Sequence, residues 1–210
     1  KTIDLVGYAF ELPELYVGDN NETSKNTILS FANSEENGYV LLTSGITIDR
    51  SGIVNLNTDC RRKKQGKIIA NGTLNFGVGV ADALTLSDEE NETVDDYFIQ
   101  SYGKNTGIVN IDSVIYKNMR RSFLNCANLK ELRMNGSILT IEDGERAIMF
   151  RCSETGMDVC ELTNNQFISN SKEVFPVESY QVPQECFSQL WNAVMAEENE
   201  FKFITINEQI

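Results

Sequence analysis

The stretch CRRKKQGK, residues 60–67, sets Cys60 beside Arg61, Arg62, Lys63, Lys64 and Lys67. Two kinds of chemistry suit that spacing. Neighbouring cations lower a thiol's pKa, so Cys60 could be a reactive thiolate. The cations could instead bind an anion or an acidic protein surface. The plain alternative is a solvated basic loop between two strands. On a chain of net charge −13, a basic loop complements the acidic face of another copy or subunit. Arg61, Arg62, Lys63, Lys64 and Lys67 are therefore the interface candidates.

Other reactive arrangements are scarce. The chain has no histidine, which removes the commonest general base and the commonest metal ligand. Ser-His-Asp and Cys-His arrangements are excluded within the chain. The five cysteines, Cys60, Cys126, Cys152, Cys160 and Cys186, contain no C-x-x-C pair, so no zinc site is expected. GVGVAD (77–82) has two glycines of a dinucleotide fingerprint, but Asp82 stands where the third belongs, and no phosphate-binding loop motif occurs. No cofactor is expected. Adjacent acids such as Asp95/Asp96 and Glu142/Asp143 could serve a carboxylate-based hydrolase acting on glycans. With 31 acidic residues in the chain, adjacency alone does not select a pair. The sequence thus reads as non-catalytic.

The negative charge also opposes nucleic acid and anionic membranes as partners. No apolar run approaches the roughly 20 residues that cross a bilayer, and no signal peptide opens the chain. Odd, widely spaced cysteines fit a reducing compartment better than a disulfide framework. Four Asn-x-Ser/Thr sites, at Asn21, Asn71, Asn91 and Asn135, do not indicate secretion in so Asn-rich a chain. A hydrophobic content of 41% is that of an ordinary globular protein.

The elements that must position these residues read mostly as strands. GYVLLTSGITI (38–48), SGIVNLNTD (51–59) and TGIVNIDSVIY (106–116) are aliphatic and β-branched. GKIIANGTLNF (66–76) reads as a hairpin turning at Asn71-Gly72, with Asn37-Gly38 and Asn135-Gly136 as further turns of that kind. Ser87 with Glu90 has capping-box spacing and opens a helix over about 87–102, carrying Val94, Tyr97, Phe98 and Tyr102 on one face. The acidic run 88–96 is its solvated start and lacks the calcium-loop signature. NMRRSF (118–123) suits a helical turn. A second helix, about 184–198, places Phe187, Leu190, Trp191, Val194 and Met195 on one face, as a core-packing stripe. FKFITI (201–206) follows as a strand. The expected fold is α+β and β-rich, built of antiparallel hairpins with two packed helices. One domain over 1–210 is expected, with a conceivable division near 104.

SFLNCANLKELRMNGSIL (122–139) resembles the BspA-like leucine-rich repeats. Phe123, Cys126, Leu129 and Leu132 occupy their F-x-x-C-x-x-L-x-x-L frame, and Met149 and Cys152 repeat its first offset. The similar region is about 118–152, one to one-and-a-half units. The resemblance implies a surface adhesion or binding module without catalytic residues. A repeat stack needs about three units, and Thr155 and Asp158 stand where the next leucines belong. The competing reading is a hairpin through Asn135-Gly136.

Taken together, the residues predict a non-enzymatic assembly protein working through contacts with itself or other subunits. It would be an oligomer or part of a larger assembly, and the Asn-rich, Pro-poor texture suits a phage virion component (a tail, ring or capsid accessory subunit).

Overall fold

The structure, a computed structural model of the chain, describes residues 1–21, 23–89, 97–117, 122–141, 147–152, 156–169, 174–179 and 185–202. The chain winds as a β-solenoid in which every strand pairing is parallel. One face is a seven-stranded sheet: β1 (Thr2–Asp4), β3 (Thr27–Ala32), β5 (Gly52–Asn57), β8 (Thr73–Phe76), β11 (Gly107–Asp112), β14 (Leu129–Asn135) and β17 (Val159–Thr163). A second face runs through β6 (Asp59–Arg62), β9 (Leu84–Asp88), β12 (Val114–Lys117), β15 (Ile138–Ile141), β18 (Gln166–Ser169) and β20 (Glu200–Lys202). The third holds β7 (Lys67–Ala70), β10 (Ile99–Gln100), β13 (Ser122–Asn125), β16 (Ala147–Cys152) and β19 (Val174–Ser179). The long strands β2 (Ala9–Val17) and β4 (Tyr39–Ile48) pair with each other and bend around the corner between the second and third faces. The first half of β4 pairs with β6 and its second half with β7.

This overturns the antiparallel hairpins. Lys67–Ala70 pairs with β4 and β10, and Thr73–Phe76 pairs with β5 and β11. Asn71-Gly72 is therefore a corner between two faces. Both its N–H groups donate to the Ile48 carbonyl of the preceding coil, at 2.9 Å. Asn135-Gly136 is likewise the corner between β14 and β15. Short polar corners and hairpin turns draw on the same residues, so local sequence does not separate them.

The helix expected over about 87–102 is also overturned. Ser87 and Asp88 end β9, and Ile99–Gln100 is a strand; residues 90–96 lie outside those described. One helix, α1 (Glu185–Val194), is present among the described residues. It falls within the expected 184–198. Of the expected turn at 118–123, Ser122 and Phe123 are strand and 118–121 lie outside the described residues. The terminal strand covers Glu200–Lys202, and 203–206 lie outside them.

Inward and outward residues alternate along many of the strands, as in the patterns of Gly52–Asn57 and Gly107–Asp112. The inward side chains form one continuous apolar core. Within it a file of rings crosses successive coils, Phe98–Tyr116–Phe123–Phe150–Phe167, with centroids 5.4–6.2 Å apart. Such edge and tilted contacts add roughly 0.5–1.5 kcal/mol each beyond burial. The α1 helix packs on β16, β17 and β19 with Cys186, Leu190 and Val194 fully buried. It follows the third face and precedes β20, so it takes the place of a first-face strand in the last coil. Its Trp191 stacks on Phe187 at 5.9 Å and packs against the core.

The frame shared by Phe123–Cys126 and Met149–Cys152 coincides with two stacked coils, since Leu124 pairs with Phe150 and Asn125 with Arg151. Stacking of that kind belongs to any parallel solenoid and is not specific to leucine-rich repeats.

Candidate functional site

The basic run occupies the corner between the second and third faces, where β6 gives way to β7. Strand alternation divides its residues. Arg61 points outward, with its guanidinium 3.9 Å from the centroid of the Tyr39 ring. Cys60 and Arg62 point inward and are fully buried. Lys63 to Gly66 form a tight turn in which Gly66 N–H donates to the Lys63 carbonyl at 2.8 Å. Lys63 N–H donates to the Leu42 carbonyl of the preceding coil at 2.9 Å. A Cβ at Gly66 would lie 2.3 Å from that carbonyl oxygen, so only glycine lets the turn sit this close. Lys64 is exposed, and Lys63 and Lys67 are half-buried.

Burial changes the chemistry of the two inward residues. It pushes the Cys60 thiol far above its usual range, and the nearby Arg62 charge only partly opposes this. The reactive-thiolate reading fails for that reason: the ion needs solvent or a partner, and the core supplies neither. Arg62 lies inside the coil. Its Nε donates to Asp88 Oδ1 at 2.5 Å and its Nη2 to the Tyr116 hydroxyl at 3.2 Å. The Tyr116 hydroxyl donates in turn to Asp88 Oδ1 at 3.0 Å, and the guanidinium lies 4.7 Å from the Phe98 ring centroid. Burial lowers the Arg62 pKa and Tyr116 and Asp88 raise it; the attraction wins, and the guanidinium stays charged. This sealed cluster ties three successive second-face strands together. Sequence reading placed Arg62 with the surface cations and missed the cluster. Alternation within DCRR holds the missing signal, because Cys60 and Arg62 share a side of the strand.

A groove flanks the corner on each side. The one on the third face, about 440 Å³, is lined by Glu14, Tyr16, Thr47, Lys64, Lys67 and Ile69. Its floor is Gly45, which sits at φ +140° where β4 bends, with Lys67 O at 2.0 Å from any added Cβ. Tyr16 donates to Glu14 Oε1 at 2.7 Å, and that bond, with the Glu14 charge, holds the phenol above its usual pKa. The second-face groove, about 570 Å³, is lined by Asp59, Arg61, Thr85, Ser87, Glu89 and Lys117. Asp59 there accepts the Thr85 N–H at 2.7 Å.

The arrangement can bind through charge and hydrogen bonds. Among the described residues no group of three or more His, Cys, Asp and Glu side chains assembles as a metal site. The acid pairs Asp95/Asp96 and Glu142/Asp143 lie outside the described residues. Gly77 and Gly79 of the GVGVAD stretch have φ +72° and +78° in the loop between β8 and β9. Among the described residues no helix is long and apolar enough to cross a membrane. No protein-family model, curated protein or solved structure matches the chain.

Proposed function

We propose that the chain is a non-catalytic assembly module whose corner at residues 61–67 docks on an acidic surface of another copy. One observation carries this reading. A close-packed turn carrying Lys63 and Lys64, with Arg61 and Lys67 on the strands that flank it, gathers four cations at one corner of a body whose net charge is −13. Oppositely signed patches on one molecule favour head-to-tail contact between copies. The far end of the solenoid offers a complement: Glu197, Glu198 and Glu200, beyond α1, are all exposed.

The contact is electrostatic, so it strengthens as salt falls. In sedimentation velocity at low ionic strength the wild-type chain should form species heavier than the monomer. Lys63→Glu/Lys64→Glu should return them to monomer, as should added salt. A chain that stays monomeric at low salt, or associates equally with the charges reversed, overturns the reading.

A further inference from the structure

On the seven-stranded face, Ser30, Asn55, Asn75 and Asn110 stand in register on β3, β5, β8 and β11. Their side chains form a continuous hydrogen-bonded row. Asn55 Nδ2 donates to Ser30 Oγ at 2.9 Å, Asn75 Nδ2 to Asn55 Oδ1 at 2.8 Å, and Asn110 Nδ2 to Asn75 Oδ1 at 2.8 Å. A carboxamide offers two N–H groups and two lone pairs. The row uses one N–H of each Asn, and among the described residues the second N–H has no protein acceptor. The three coils that carry Asn55, Asn75 and Asn110 therefore present the same unused donor, repeated at the strand spacing of about 4.8 Å.

Beside this row runs a second one, Ile28, Ile53, Thr73 and Ile108, also in register and outward. Ile28 is 49% exposed. Neither row carries a charge. The next strand restores charge, where Arg133 is clamped between Glu131 and Glu161. On so acidic a chain, these two uncharged rows form a distinct strip, bounded by the outward Asp112 at the end of β11 and by Arg133 beside Asn110. We infer that this face binds a neutral oligosaccharide, its hydroxyls on the amide row and the C–H side of its rings on the Ile row.

Three physical points select that ligand. First, neither row carries a cation, the adjoining Arg133 is engaged by Glu131 and Glu161, and the net charge of −13 repels an anionic chain. Second, the patch measures about 19 by 16 Å from strand spacing and rise, roughly 300 Å². A stable dimer buries about 800 Å² per partner, so the patch is too small for a second copy and large enough for a few sugar rings. Third, the surface donors repeat on a spacing close to one sugar ring. The bland role of the row, tying the coils together, uses only half its donors and leaves the other half for a ligand. Without an exposed aromatic platform the affinity is weak, about 0.1–10 mM.

The test is a titration of ¹⁵N-labelled chain with cellotetraose, chitotetraose, mannotetraose and maltotetraose, reading the Asn side-chain amide signals. At least one sugar should shift the Asn55, Asn75 and Asn110 side-chain signals and reach at least about two-thirds of saturation by about 20 mM. Asn75→Leu should weaken that binding at least about tenfold. Ile53→Asp leaves the amide row whole and puts a charge on the patch, and it should weaken binding to a similar degree in a chain that keeps wild-type amide dispersion. Lys63→Glu/Lys64→Glu should leave binding unchanged, which separates this site from the basic corner. Four sugars without a shift at these amides, shifts confined to another face, or binding unaffected by Ile53→Asp each overturn the inference. So does a shift that depends on protein concentration alone, which would assign the face to a second copy.

Discussion

Arg62→Leu should cost this protein a large share of its stability. Arg62 and Asp88 have side-chain exposures of 0% and 1% at a separation of 2.5 Å, and Tyr116, the third member, is fully buried. Removing the guanidinium strands the Asp88 carboxylate in the core with one remaining donor, the Tyr116 hydroxyl. Breaking a buried pair from one side costs about 3–5 kcal/mol, against a whole-domain stability of about 5–15 kcal/mol. Urea denaturation of the single variant should show a correspondingly lower midpoint at an unchanged slope. Arg62→Leu/Asp88→Leu removes both charges and should recover at least about 2 kcal/mol of the loss, since an apolar replacement of a whole buried pair is often neutral. Refutation would come from an Arg62→Leu cost under about 1 kcal/mol, as for a surface ion pair. A double variant whose cost is the sum of the two singles would refute it equally, because the charges would then not be coupled.

Gly45→Ala should destabilise by about 2–4 kcal/mol in the same assay, because φ +140° excludes a side chain and the new methyl would meet Lys67 O. Hydrogen bonds from Ser34 hold Asp4 below its usual pKa, and the Asn21 N–H and the Ser24 hydroxyl do the same for Asp19. A depressed carboxylate pKa gives stability that is complete above the unfolded value and is lost as pH falls through the folded one. Protection factors for amide exchange in residues 2–34 should therefore fall first on acidification below about pH 4. Thiol reagents should modify the native chain at Cys160 alone and slowly. Cys60, Cys126, Cys152 and Cys186 are buried, and burial pushes the Cys160 thiol up to about 12. The other four should react only once the chain is unfolded.

Much of this fold was written locally, and its topology was not. The strand content around 38–59 and 106–116 and the apolar stripe at Phe187–Val194 follow from residue type and period, and they are present. The direction of pairing was illegible because Asn71-Gly72 and Asn135-Gly136 serve a corner as readily as a hairpin. The coils also differ in length. Ile53 pairs with Thr73, Thr73 with Ile108, Ile108 with Glu131 and Glu131 with Val159, so no fixed repeat marks them. Ser87 and Glu90 have the spacing of a helix start, yet Ser87 and Asp88 pair as strand beside Arg61 and Arg62; tertiary pairing overrode local preference. At the site, the run of cations was legible as charge. Its division into outward Arg61 and inward Arg62 depended on the strand that carries them. The amide row on β5, β8 and β11 was invisible because its members are separated along the chain and meet only through register.

The parallel coil underlies the corner, the buried cluster and the amide face alike, and scalar couplings across hydrogen bonds test it most directly. In the coil, Ile68 N–H donates to the Phe98 carbonyl at 2.8 Å and Ile108 N–H to the Gly72 carbonyl at 2.9 Å. Couplings from Ile68 ¹⁵N to Phe98 ¹³C′ and from Ile108 ¹⁵N to Gly72 ¹³C′ are the predicted result. Couplings linking residues 67–70 directly to residues 73–76, as in a hairpin, would contradict it.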